Sequence, residues 1–189
     1  MRIISGIFKG RKLNLPSDKK TRPLKDITKE AIFNIVKHSN KVSTKIDNSF
    51  VLDLFSGVGS FGIECISRGA KHVTFVENYQ NVLTILKKNL IKIDLKNNYK
   101  IIEKNIIDDL NFGEFSKKFD IIFIDPPYKS KCLINILSNI EENKILSKNG
   151  LIIFHQHKRE KDLVPENFKL IEKKNYGISK IVFGNFKKI

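Results

Sequence analysis

Val51-Leu52-Asp53-Leu54-Phe55-Ser56-Gly57-Val58-Gly59-Ser60-Phe61-Gly62 decides the reading of this chain. An apolar run, Phe50–Leu54, reads as a buried strand, and a helix follows from Ser60 to Arg68. Between them Gly57, Gly59 and Gly62 satisfy G-x-G-x-x-G, a spacing that lets backbone approach a ligand at the start of a helix. The next apolar run, His72–Val76, ends in Glu77, an acid placed to accept both hydroxyls of an adenosine ribose. Strand, glycine loop, helix, strand and acid together define a nucleoside-binding unit.

Both NAD and S-adenosylmethionine (SAM) fit that unit. A dinucleotide puts its pyrophosphate over the glycines, where Asp53 would repel it. A carboxylate at the strand end suits the cationic amino group of a methionyl moiety, which favours SAM. The candidate cofactor residues are therefore Asp53, Phe55, Gly57 and Gly59 in the loop and Glu77 with Asn78 at the second strand end. Asn105 and Ile106, after the third strand, offer an amide and an apolar wall to adenine.

Outward from this unit, strand and helix patterns alternate. Tyr79–Ile93 reads as a helix, Tyr99–Glu103 and Ile121–Ile124 as strands, Lys131–Glu142 as a helix and Leu151–His155 as a strand. Such alternation predicts a mostly parallel, doubly wound α/β sheet. Lys169–Glu172 and Lys180–Phe183 flank the turn signal Asn175-Tyr176-Gly177 and read as a closing antiparallel hairpin.

The strand at Ile121–Ile124 runs into Asp125-Pro126-Pro127-Tyr128. Two prolines end strand pairing and stiffen the backbone. They present a carboxylate, a backbone carbonyl and an aromatic ring at the carboxyl edge of the sheet, where ligands bind in open α/β folds. Acceptors beside a stacking ring suit a flat group bearing an NH2, such as a nucleobase. Asp125, Pro126, Pro127 and Tyr128 are the candidate catalytic residues.

The first fifteen residues, MRIISGIFKGRKLNL, alternate apolar and polar around two glycines and read as a small β-hairpin. Arg2, Lys9, Arg11 and Lys12 cluster there, Arg22 follows, and three of the chain's five arginines lie within residues 2–22. Arginine forks grip phosphate bidentately, so this arm is a candidate RNA-binding surface. The net charge of +15 points the same way, although 30 lysines beside abundant Asn and Ile also have the skew of an AT-rich genome. Asp26 is the expected N-cap of a helix to about Lys37, and residues 38–49 form a polar connection. The organisation expected is an N-terminal extension, 1–40, on a main body, 41–189, the whole acting as one unit.

At 189 residues the chain can bury a sizeable core. Its apolar runs are too short for a membrane helix, and the opening residues carry no signal-peptide core. Cys65 and Cys132 make neither a zinc site nor a disulfide framework, so a reducing cytoplasm is expected. His155 and His157 lack a nearby third ligand, and no metal is expected.

Together these motifs resemble the RsmD family of bacterial 16S ribosomal RNA guanine-N2 methyltransferases. The likeness rests on MRIISG, Lys9–Leu13, Thr21-Arg22-Pro23, Glu30–Ile35, Leu52–Glu64, Ser67–Ala70, Phe75-Val76-Glu77, Asp125–Tyr128 and Tyr176-Gly177. The N-terminal signature is its specific part; the glycine loop and Asp-Pro-Pro-Tyr occur in many SAM enzymes. The resemblance implies a Rossmann-like class I fold, a seven-stranded sheet with an antiparallel last strand and an N-terminal hairpin. It implies SAM as cofactor and 16S rRNA in an assembling small subunit as partner; a monomer is expected. Where relatives commonly carry Glu, this chain has His155. An adenine-N6 DNA methyltransferase, an NAD-dependent oxidoreductase and a non-catalytic RNA-binding protein are the alternative readings.

Overall fold

Leu52, Leu54, Ile122, Ile124, Ile152 and Phe154 alternate along their strands with Val51, Ile121, Phe123, Leu151 and Ile153, and both sets are buried. A strand apolar on both faces belongs in the middle of a sheet covered on both sides. The computed structural model, which describes residues 1–17, 24–93, 98–108, 111–113, 115, 117–127 and 132–187, has that arrangement. The elements run α1 (Asp26–His38), β1 (Phe50–Leu54), α2 (Ser60–Ser67), β2 (His72–Glu77), α3 (Gln80–Lys92) and β3 (Tyr99–Glu103). They continue with β4 (Phe119–Ile124), α4 (Leu133–Glu142), β5 (Leu146–His157), β6 (Phe168–Tyr176) and β7 (Ser179–Phe186).

The seven strands form one sheet in the order β3-β2-β1-β4-β5-β7-β6. Pairing is parallel from β3 through β5, and β7 lies antiparallel to both β5 and β6. The strand order reverses between β1 and β4, the switch point at which open α/β sheets bind ligands. One face is packed by α1, α2 and α3, whose Ile32, Phe33, Phe61, Ile63, Leu83 and Leu86 meet Val51, Phe75, Phe123 and Ile153. The other is covered by α4, whose Leu133, Ile136, Leu137 and Ile140 meet Leu52, Leu54, Ile122 and Phe154.

Several boundaries differ from the sequence expectation. β5 begins at Leu146 and ends at His157 because pairing with β4 and β7 extends it beyond its apolar middle. The N-cap of α1 is Lys25; Asp26 is its first helical residue, and its side chain lies 3.6 Å from Lys29 Nζ. The N-terminal hairpin contracts to a single antiparallel bridge, Arg2 to Lys12. Polar side chains of α1, α2 and α3 take up the backbone groups that a longer ladder would have paired.

Those side chains are buried. Glu64 accepts the backbone N–H of Ile4 at 2.7 Å and of Ser5 at 2.9 Å, and Arg68 Nε donates to it at 2.8 Å. Lys29 Nζ donates to the Arg2 carbonyl at 2.7 Å and lies 3.8 Å from Glu64. Ser67 Oγ accepts from Phe8 N–H and donates to the Ser5 carbonyl. Asn89 accepts from Asn14 N–H and donates to the Asn14 and Val58 carbonyls. Burial lowers the Lys29 pKa while Glu64 and Asp26 oppose that shift.

Candidate active site

The side-chain period of a strand is two residues. Asp53, Glu77, Asp125 and His155 each stand two places beyond Val51, Phe75, Phe123 and Ile153, which all face the α1–α3 layer. The four polar residues therefore share one face at the carboxyl edge of β1, β2, β4 and β5, around the switch point. The aromatic rings of Phe33, Phe61 and Phe123 stack behind them, with centroids 5.2 and 4.1 Å apart.

Asp53 is buried, and its Oδ2 accepts the Gly62 N–H at 2.9 Å, tying β1 to the first turn of α2. Burial pushes its carboxyl well above the ordinary value of 3.8; the Gly62 bond opposes this, and the charges of Asp125 and Glu77 add to it. Asp53, Glu77 and Asp125 thus stand together as an acidic rim suited to a cation.

Glu77 is held by three backbone donors. Gly57 N–H reaches Oε2 at 2.8 Å, and the N–H groups of Asn78 and Tyr79 reach Oε1 at 2.9 Å. These bonds set the carboxylate's direction and clamp β2 to the glycine loop. Lone pairs that remain on the carboxylate can accept hydroxyl groups.

The three glycines do different work. A Cβ on Gly62 would lie 2.3 Å from Phe75 Cε1, and one on Gly59 would lie 2.5 Å from Leu86 Cδ1, so protein fills those two spaces. At Gly57 a Cβ would meet nothing within 4 Å, and φ is +55°. Close backbone approach of a ligand, expected of the whole motif, is thus available at Gly57. Phe55, beside it, is also left-handed at φ 58° and packs toward the α4 layer. This open, glycine-floored space beside an acidic rim fits a sulfonium cofactor with an adenosine ribose.

Asn105 accepts the Ile107 N–H at 3.0 Å and donates to Asp108 at 2.5 Å, forming a local turn, while Ile106 is buried in the α4 layer. The backbone N–H of Asp125 points to the Leu54 carbonyl at 3.4 Å; Pro126 is buried and Pro127 exposed. Asp125 Oδ1 lies 2.8 Å from His155 Nδ1, a pair that sequence reasoning did not find. The available signal was positional: both residues directly follow the apolar runs Ile121–Ile124 and Leu151–Phe154, and β4 and β5 are parallel neighbours. Tyr128 and Arg22 lie outside the described residues.

In the N-terminal arm Arg2, Lys9, Arg11 and Lys12 are exposed, and the Arg11 guanidinium sits 4.9 Å from the Phe8 ring centroid. Among the described residues no group of three or more His, Cys, Asp or Glu is placed to hold a metal ion, and no helix is long and apolar enough to cross a membrane.

Strand order, glycine loop and strand-end acid define a Rossmann-like nucleotide-binding fold, and the buried Asp53 beside the loop, unsuited to a pyrophosphate, marks the class as SAM-dependent methyltransferases. The family model described as Conserved hypothetical protein 95 matches residues 1–185. A Haemophilus influenzae protein, ribosomal RNA small subunit methyltransferase D, is 35% identical over 94% of this chain and 90% of its own. An Escherichia coli protein of the same name is 31% identical over 94% and 85%. Among solved structures, a candidate methyltransferase from Escherichia coli matches with a TM-score of 0.82 at 28% identity, covering 99% of this chain and 98% of that one. A candidate methylase from Haemophilus influenzae gives 0.75 at 32% identity, covering 98% of each. The chain belongs to the RsmD family.

Proposed function

We propose that this protein transfers a methyl group from SAM to the exocyclic N2 of a guanine in 16S rRNA, within an assembling small ribosomal subunit in the cytoplasm. It does so as a monomer and without a metal. The observation that carries this reading is the meeting of two half-sites at one edge of the sheet: the Gly57–Glu77 clamp and the Asp125-Pro126 corner. The relatives' rRNA methyltransferase names support the substrate class.

Bound SAM supplies an electrophilic methyl group on a sulfonium sulfur. Glu77 holds the ribose hydroxyls, Gly57 admits the cofactor to the loop floor, and Asp53 faces its cationic end. Asn105 and Ile106 meet the adenine. The target guanine leaves its stack to reach this edge. Its amino lone pair is conjugated with the ring and weakly nucleophilic. The Asp125 carboxylate and the Pro126 carbonyl accept its N–H groups, drawing that pair out of conjugation and aiming it. Tyr128 stacks on the base, and Pro127 stiffens the corner. The corner acts by orientation and electrostatics. Arg2, Lys9, Arg11, Lys12 and Arg22 grip RNA phosphates.

Labelled SAM, the purified protein and small subunits lacking the modification test this reading. N2-methylguanosine in digested 16S rRNA is the expected product. N6-methyladenine in DNA, or label in no nucleic acid, would overturn it.

A further inference from the structure

We propose that His155 is a positioning residue that orients Asp125 for the target amine, an inference that rests on the reading above. His155 is 7% exposed on β5, and its Nδ1 lies 2.8 Å from Asp125 Oδ1. An ionised carboxylate only accepts hydrogen bonds, so Nδ1 carries the proton and donates it. That bond occupies Oδ1 and fixes the carboxylate's rotation about its Cβ–Cγ bond. Oδ2 is then the oxygen presented to the exocyclic amine, beside the Pro126 carbonyl.

The tautomer also divides the roles. Nδ1 is committed to Asp125 Oδ1, so the imidazole meets the reacting amine by way of that carboxylate. The proton that the amine sheds after methylation leaves through Asp125 or water, and His155 acts through Asp125. The imidazole also lends Asp125 a donor without adding another acid to the rim formed with Asp53 and Glu77. A glutamate at this position would add one. In this chain the corner is therefore held by a hydrogen-bond donor.

The test uses the full-length protein with labelled SAM and unmodified small subunits. His155→Leu removes the donor at similar volume, and His155→Asn keeps an N–H near the Nδ1 position. The expected result is a fall in kcat of roughly 10–100-fold for His155→Leu, with SAM affinity by calorimetry and KM for the subunit within about twofold. His155→Asn should recover most of kcat, and nitrogen NMR of the free protein should show the Nδ1–H tautomer. In an Asp125→Asn background, His155→Leu should cost much less than it does alone. Undiminished kcat in His155→Leu, no recovery in His155→Asn, equal losses in both backgrounds, or an Nε2–H tautomer would overturn the assignment. Failure of the guanine reading looks different: the wild-type protein then leaves 16S rRNA unmethylated, whatever the tautomer of His155.

Discussion

At the scale of single residues, the acids of the rim separate by what holds them. Asp125→Ala should lower kcat by roughly 10²–10³, the magnitude for a lost electrostatic contact to the reacting group, and leave SAM affinity nearly intact; steady-state kinetics beside calorimetry checks both. Glu77→Ala should weaken SAM binding roughly 10–100-fold, since charge-assisted hydrogen bonds are lost. It also frees the N–H groups of Gly57, Asn78 and Tyr79, so the loop itself loosens. Asp53 carries a pH signature. Its folded pKa is raised above the ordinary value of 3.8, so the folded state binds the proton more tightly than the unfolded state. Stability on this account is undiminished below that value and falls as pH rises above it. Asp53→Asn should therefore raise the melting temperature at pH 7 and do little near pH 3, measured by calorimetry at both. These residue types and spacings were readable in advance. The orientation of Glu77, the Gly62 bond to Asp53 and the His155 contact were not, because each depends on a neighbouring strand or helix.

Among the elements, α2 has the most to hold. Its first turn closes the glycine loop through Asp53, and Glu64 near its other end anchors the N-terminal arm. Phe61 stacks between Phe33 of α1 and Phe123 of β4, and Arg68 lies 4.4 Å from the Phe33 ring centroid. Glu64→Ala would leave the Ile4 and Ser5 amides without their acceptor and remove the buried counter-charge beside Lys29 and Arg68. Breaking a buried pair costs roughly 3–5 kcal/mol, and each kcal/mol lowers the melting temperature of a chain this size by roughly 2–4 °C; calorimetry measures it. Because the arm is seated on α2, the same variant should also weaken rRNA binding. The helices and central strands were legible from their apolar periods. The short N-terminal bridge and the reach of β5 and β6 were not, since edge pairing extends strands through polar residues such as Lys173 and Lys174.

For the whole molecule, a net charge of +15 and an exposed basic arm predict salt-sensitive RNA affinity. Arg11→Ala should weaken rRNA binding and make the slope of log affinity against log salt shallower by about one unit, measured by filter binding. The fold also predicts ligand stabilisation: at about a hundred times its Kd, SAM should add about 2.7 kcal/mol, and a thermal-shift comparison should show no such rise with NAD. Length and alternating periods determined by themselves the doubly wound sheet, and the N-terminal signature with the glycine loop and the Asp-Pro-Pro-Tyr turn pointed to the family, because local pattern and strand-end chemistry are written along the chain. Only the tertiary structure decided which glycine faces open space, that Asp53, Glu77, Asp125 and His155 share one face, and that buried Glu64, Lys29 and Asn89 seat the N-terminal arm. The reason is distance along the chain. Glu64 meets Ile4 across 60 residues and His155 meets Asp125 across 30. No local period records such pairings; sheet order and helix packing create them.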